Sequence, residues 1–317
     1  MGARHRICAI IVTHHPDGAF PDRLAAIASQ VARVYIVDNG SNPERLATLS
    51  ALVANTDHVL IANRSNLGVA RALNQGATAA RAAGFEWAIT LDQDSLVTDG
   101  MVERLWQTWY SNSSDAPVAI VTPVIQDRLK PNKSAYWIRP SKRFPLMFER
   151  VDASRVDSHG VTMAITSGAL TNLDAWAKLD GFWAELFIDF VDFEYCLRAR
   201  RAGYRILVSQ DARLIHRLGA RRAVSFLGFR LTALFHSPKR VYYIWRNRLA
   251  VIKRHGLSTP HWLLYEIFFA PIWTVRILVL EDQRWPKFMA MVRGTLDGIL
   301  GRLGPAPAGL FDDDRSR

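Results

Sequence analysis

Only two cysteines occur in the 317 residues, Cys8 and Cys196, and neither has a CxxC partner or a metal-ligating neighbour. That scarcity excludes a disulfide-stapled scaffold and a cysteine-built metal site, and two reduced, buried thiols fit a cytoplasmic compartment. No repeat period is visible. With 49% hydrophobic and 10% aromatic residues, the chain is not a disordered or low-complexity protein. A secretory leader is not expected: Arg4 and Arg6 are followed by only the apolar run ICAIIV, well short of an h-region. Acidic residues are nearly missing from one stretch. Residues 212–311 hold 16 Lys/Arg against Glu266, Glu281, Asp282 and Asp297, whereas residues 1–211 balance 22 against 22. The net charge of +11 therefore belongs to one segment.

In that segment basic residues alternate with aromatic and apolar ones, as in VYYIWRNRLAVIKRHG and HWLLYEIFFAPIWTVRILVL. Nucleic acid is one partner for such a surface, but no nucleic-acid motif is present and none is expected to bind. An anionic membrane surface suits it better, because that surface attracts Lys and Arg while Trp, Phe and Leu enter the headgroup boundary. Trp262–Leu280 approaches bilayer length, yet it contains Glu266, Pro271 and Arg276, which make spanning costly. The segment is expected to be interfacial. A helix packed on the protein's own core is the alternative.

What is present in the first hundred residues is a strand–helix alternation. Strands are expected at Ile7–Thr13, Val31–Ser41, His58–Asn63 and from Trp87 through LDQDS, with helices at 22–30, 43–54 and 66–83 between them. Asn66 would cap the third helix and Gly84 would end it. This pattern predicts an α/β fold with a mainly parallel sheet and helices on both faces. Further on come a helix at Met101–Tyr110, a strand at Val118–Val124 and a polar stretch at 126–157. An apolar run at 161–170, a helix at Asn172–Leu179, helical spacing over Asp189–Arg201 and a strand at Leu207–His216 follow. The shift in composition divides the chain into residues 1–219 and a helical, basic, amphipathic region at 220–317.

Chemistry-bearing residues fall at strand ends or helix starts. Asp38-Asn39-Gly40-Ser41 closes the second strand, where a carboxylate can accept from a ribose hydroxyl or base N–H, though the same residues make an ordinary turn. Asn66, Gly68 and Arg71 open a helix whose N-terminus favours anions, and Arg71 could reach a phosphate; a solvent-facing arginine is the plainer alternative. Asp92 and Asp94 end the fourth strand, where open α/β sheets bind ligands and where hard oxygens suit a divalent cation holding a diphosphate. The chain is expected to turn at Gln93, with both carboxylates serving one site. Asp189, Asp192 and Glu194 sit among Phe190, Val191 and Phe193, an apolar setting that would raise a carboxyl into the range of a general base. The alternative there is a capped helix start with Glu194–Arg198 as a surface pair. His216, at the end of the last strand, is suited to ligate a metal.

Taken in order, IIVTHHP, DNGS, NLGVARALNQG, LDQDS, TSGAL, GFWAELFIDFVDFEYCLRARRAGY and LIH resemble family 2 glycosyltransferases with the nucleotide-diphospho-sugar (GT-A) fold. The resemblance runs from Ile7 to about Gly219 and continues weakly through YYIWRNR. LDQDS with FIDFVDFE looks most like the bacterial rhamnosyltransferase branch, which builds cell-surface glycans. The resemblance implies that Asp38 contacts the nucleoside and that Asn66, Gly68 and Arg71 surround the nucleotide. It implies that Asp92 and Asp94 hold Mg2+ or Mn2+ on the diphosphate, with His216 a further ligand. Ser167 and Gly168 would border the acceptor. Asp192 matches the catalytic base, with Asp189 the alternative, because the family's usual Glu-Asp-x-Asp reads Val191-Asp192-Phe193-Glu194 here. The implied reaction is a single displacement with inversion. Its donor would be dTDP-rhamnose, or a UDP-sugar such as UDP-galactose, and its acceptor a glycan, on a polyprenyl diphosphate, at the inner face of the cell membrane.

Two other enzymes begin with similar pieces. A haloacid dehalogenase phosphatase also uses strand plus Asp-x-Asp, but it wants Thr or Val where this chain has Leu96, and it carries the motif near its N-terminus. A nucleotidyltransferase would need a Gly-rich basic loop in place of THHPDGAF. A non-enzymatic basic binding module would leave the acidic clusters without a task.

Overall fold

The computed structural model describes residues 6–113, 116–127, 130–134, 137–157, 159–216, 220–226 and 229–311. Its centre is a nine-stranded sheet. Strands β1 (Ile7–Thr13), β2 (Arg33–Asp38), β3 (Val59–Ala62) and β4 (Trp87–Asp92) form the parallel part, in the order β3-β2-β1-β4. Helices α1 (Phe20–Ala28), α2 (Pro43–Val53) and α3 (Val69–Ala82) make the crossovers. Every residue of β1 is buried, as a parallel strand covered on both faces requires. The α3 face on the sheet is built from Ala70, Ala72, Leu73, Gly76, Ala77 and Ala80. A Cβ at Gly76 would lie 2.4 Å from Ile10 Cγ2, so only glycine lets the helix approach this closely.

Beyond β4 the sheet becomes mixed rather than staying parallel. After β5 (Leu96–Val97) and α4 (Met101–Ser111), β6 (Val118–Asp127) enters the sheet, and β7 (Lys130–Ser134) pairs antiparallel with it. The expected polar stretch also contains a hairpin of β8 (Trp137–Pro140) and β9 (Phe148–Val151). β10 (Ala169–Asn172) runs antiparallel between β4 and β6 and overlaps the apolar run at 161–170 only in its first two residues. α5 (Leu173–Lys178) and α6 (Val191–Arg201) follow, and β11 (Arg205–His216) lies parallel to β6 and antiparallel to β5.

The compositional boundary at Gly219 lies outside the described residues. The region after it is not helical throughout: it opens with a hairpin of β12 (Ala220–Phe226) and β13 (Phe229–Phe235). Helices α7 (Pro238–His255), α8 (Pro260–Leu280) and α9 (Arg284–Ile299) come next. Ile244 and Val251 of α7 and Trp262 of α8 belong to the same apolar cluster as Cys8 and Ile10. The basic region is thus welded to the sheet domain rather than tethered to it.

Candidate active site

The C-terminal edges of β1, β2 and β4 lie side by side, with Thr13 opposite Asp38 and Val12 opposite Asp92. Past Asp92 the chain turns at Gln93 and Asp94, with Ser95 N–H donating to the Asp92 carbonyl at 3.2 Å, and then enters β5. Because Leu96 pairs with Ile215, β5 carries the end of β11 to the turn, and His216 arrives beside both carboxylates. Its Nε2 is 3.9 Å from Asp92 Oδ2 and its Nδ1 3.6 Å from Asp94 Oδ1. One ligand atom from each of the three residues lies within 4.8 Å of the others. Two carboxylate oxygens and an imidazole nitrogen are a donor set that fits Mg2+ or Mn2+. Burial pushes the Asp92 carboxyl above the usual carboxylate range, with Asp94 adding to the rise and His216 opposing it.

A second layer of hydroxyls orients these side chains. Ser95 Oγ lies 2.8 Å from His216 Nδ1 and 2.6 Å from Ser167 Oγ, and Ser167 Oγ accepts from Asp92 N–H at 3.3 Å. Holding one imidazole nitrogen leaves the other for a ligand. Ser167, expected at the acceptor border, is buried and hydrogen-bonded between Ser95 and the Asp92 backbone. Gly168 was expected there too. It has φ +80° and its Cβ position is filled by Leu214 and Pro123, so only glycine makes this turn into β10. Gln93 closes the turn from the other side: its side chain accepts from His14 N–H and donates to the His14 carbonyl, and its own carbonyl accepts from Arg23 Nε.

Asp38 is buried. Its carboxylate accepts from Thr13 Oγ1, Ser41 N–H and Ser41 Oγ, which fastens the strand end to the turn. Asn66 does not cap α3, which starts three residues later at Val69. Its Oδ1 accepts from Gly68 N–H and Asn39 Nδ2. Gly68 has φ +87°, and a Cβ there would come within 2.6 Å of the Phe187 carbonyl. Arg71 is exposed on the first turn of α3, where it can meet an anion.

The segment leading to Asp192 is unusual. Phe187, Asp189 and Phe190 all have positive φ (67°, 61° and 64°), a region that bulky residues occupy only when their surroundings impose it. Asn247 of α7 imposes it. Its Nδ2 is 2.8, 2.7 and 3.0 Å from the carbonyls of Leu186, Ile188 and Asp189, while Val69 N–H donates to the Phe187 carbonyl at 2.7 Å. Asp189 therefore precedes α6 and does not share a helical face with Asp192 as the spacing predicted. Asp189 is held by Arg240 of α7 at 3.0 Å. Asp192 lies in the first turn of α6, where burial pushes its carboxyl up to about 7, with the Phe193 N–H opposing and Asp189 and Asp92 adding. Glu194 is fully buried, not a surface residue. Burial alone would raise its carboxyl, but His255 at 3.0 Å and Arg198 at 2.8 Å bring it below the ordinary value. Sequence reasoning named Gln93 only as the turn and missed Ser95, Arg240 and Asn247; only YYIWRNR hinted at the last.

A mixed α/β sheet with an acidic turn, a histidine and a separate buried carboxylate at one edge is the architecture of a GT-A glycosyltransferase. Residues 8–178 match the family model for glycosyl transferase family 2, and the chain belongs to that family. It is 28% identical over 302 residues to the dTDP-rhamnosyl transferase RfbF of Shigella flexneri, covering 94% of this chain and 97% of that one. Residues 1–349 of S. aureus TarS share the fold at TM-score 0.58 and 13% identity, over 94% of this chain and 82% of that one. A structure of GalNAc-T7 with UDP, GalNAc and Mn2+ matches at TM-score 0.57 and 14% identity, over 79% of this chain and 48% of that one. The protein is a glycosyltransferase.

Proposed function

We propose that the chain is an inverting, metal-dependent rhamnosyltransferase using dTDP-rhamnose. One observation carries this reading: Asp92, Asp94 and His216 converge within 4.8 Å at the sheet edge that also faces Asp192, whose carboxyl is poised at about 7. The likeness to a dTDP-rhamnosyl transferase over nearly the whole chain supports the donor. Asp192 accepts the proton of the acceptor hydroxyl as its oxygen attacks the anomeric carbon, and the bond to the diphosphate breaks on the opposite face. Mg2+ or Mn2+ bound by Asp92, Asp94 and His216 would neutralise charge on the departing diphosphate. Arg71 adds a cation on its side, and Ser95 and Ser167 keep His216 oriented. Asp38, Asn66 and Gly68 shape the floor of the nucleotide site. Asp189, held by Arg240, is a neighbour that raises Asp192 rather than a second base.

In this reading residues 1–219 perform the chemistry and residues 220–317 dock the enzyme peripherally on the cytoplasmic face of the cell membrane. Helix α8 is the one helix among the described residues with the length and composition to cross a bilayer. Its charges turn inward, with Glu266 paired to Arg248 at 2.9 Å and Arg276 near Glu281 at 3.5 Å. Leu264, Ile267, Phe268, Ile272 and Val275 face outward. A helix with paired charges and a broad exposed apolar face suits the interface plane. The acceptor would then be a cell-surface glycan growing on a polyprenyl diphosphate. The test is transfer from dTDP-rhamnose and from UDP-galactose to such a lipid-linked glycan, with Mg2+, with Mn2+ and with EDTA. Metal-dependent rhamnosyl transfer supports the assignment. Transfer from UDP-galactose alone replaces the donor, and consumption of neither sugar nucleotide overturns the reading.

A further inference from the structure

Between β8 and β9 the chain reads Ser141-Lys142-Arg143-Phe144-Pro145-Leu146-Met147, and three of its apolar side chains point to solvent: Phe144 is 58% exposed, Leu146 65% and Met147 48%. This is an ordered turn. Met147 N–H donates to the Phe144 carbonyl and Ser141 N–H to the Met147 carbonyl, both at 2.8 Å. The hairpin stem is rooted in the core through buried Trp137, Ile138 and Val151, and Arg139 is tied to Glu149 and Asp157. A rigid stem thus presents a bulky apolar tip that nothing among the described residues covers.

The tip does not stand alone. Phe148, the first residue of β9, packs its ring 5.2 Å from Tyr265 and 6.0 Å from Phe269 of α8, and Phe269 meets Phe268 at 5.0 Å. The hairpin therefore joins the outward stripe of α8 in one aromatic path. Lys142 and Arg143 flank the tip; Lys142 reaches Asp157 at 3.0 Å yet stays 71% exposed, and the Arg143 guanidinium lies 5.2 Å from the Phe144 ring. Apolar side chains ringed by cations match a bilayer surface of anionic lipids, whose headgroups meet Lys and Arg while Phe, Leu and Met enter the acyl boundary.

We propose that the β8–β9 tip is a second membrane contact, inserted beside α8 into an anionic lipid surface. With α8 it makes one broad contact face on the membrane, which sets the tilt of the catalytic edge. The proposal rests on the membrane reading above and adds a contact in the sheet domain, outside the basic region. Because the tip is already ordered, insertion costs little chain entropy.

The test uses the full chain with Leu146→Cys carrying an environment-sensitive fluorophore; native Cys8 and Cys196 are buried and will not label. With vesicles of phosphatidylglycerol and phosphatidylcholine, the emission should shift to the blue and be quenched by lipid-borne quenchers. Vesicle co-flotation of the unlabelled triple variant Phe144→Ser, Leu146→Ser and Met147→Ser should fall at least tenfold. An unshifted label on wild-type-like floating protein overturns the tip contact and leaves α8 as the anchor. Failure of the wild-type chain to float overturns the membrane reading itself. A blue shift that grows with protein concentration without vesicles assigns the tip to a second copy of the chain and also overturns the proposal.

Discussion

Arg240 donates to both carboxylate oxygens of Asp189, from Nη2 at 3.0 Å and from Nε at 3.3 Å. Three residues on, Asp192 has no cation within ion-pair distance among the described residues. Two carboxylates in one short segment are thereby given different surroundings. The paired one is bound by Arg240, while burial pushes the carboxyl of the unpaired one up to about 7.

Asp192→Asn should lower turnover by about 10²–10⁴-fold, the usual contribution of a general base, while leaving affinity for dTDP and metal unchanged. Asp189→Asn should cost far less, since it removes only a neighbouring charge. Steady-state turnover beside calorimetric nucleotide binding separates the two; equal losses would contradict the division of labour.

The pH profile follows from the same carboxyl. Asp192 works ionised, so kcat should climb with pH below about 7 and level off above it. For stability the sign is opposite. A carboxyl raised in the folded state penalises folding as pH rises from the unfolded value of 3.8 through about 7. Asp192→Asn should therefore raise stability at pH 8 by about 0.5–2 kcal/mol, the usual gain on relieving a destabilised site, and by less at pH 4. Thermal unfolding at the two pH values reads this out.

Ser95→Ala removes the hydroxyl on His216 Nδ1 without touching a ligand. It should weaken metal affinity by about 10–100-fold, as loss of an outer-shell partner does. His216→Ala should do at least as much. Titration of Mn2+ in the presence of dTDP measures both, and an unaltered Ser95→Ala would show that the serine relay does not orient the histidine.

Asn247→Ala takes away the donor shared by the Leu186, Ile188 and Asp189 carbonyls. The left-handed turns at Phe187, Asp189 and Phe190 would relax and Asp192 would shift. A misplacement of about 1 Å costs on the order of 10²-fold in kcat, and nucleotide affinity should hold. A drop in affinity with kcat intact would contradict this role.

The sheet was legible where burial is local: β1 to β4 are continuous apolar runs with turn residues at fixed distances, and Asp92, Asp94 and His216 fall at strand ends that pattern alone locates. The β8–β9 hairpin was not, because its strands are four residues each and are defined by each other rather than by periodicity. The start of α6 was misplaced for a related reason. Nothing in FIDF announces left-handed backbone at Phe187, Asp189 and Phe190; Asn247, some sixty positions later, enforces it. Glu194 looked like half of a surface pair because its other partner, His255, is as remote. Ser167 matched an acceptor-side position by order in the chain, and only the fold shows that its hydroxyl meets Ser95 and the Asp92 backbone.

The most direct test of the account is calorimetric titration of the purified protein with dTDP in Mn2+, in Mg2+ and in EDTA, with Asp94→Asn alongside. The account predicts binding that needs the metal, disappears in EDTA and is lost in Asp94→Asn while the fold stays intact. Binding of equal strength with and without metal, or unchanged in Asp94→Asn, would contradict it.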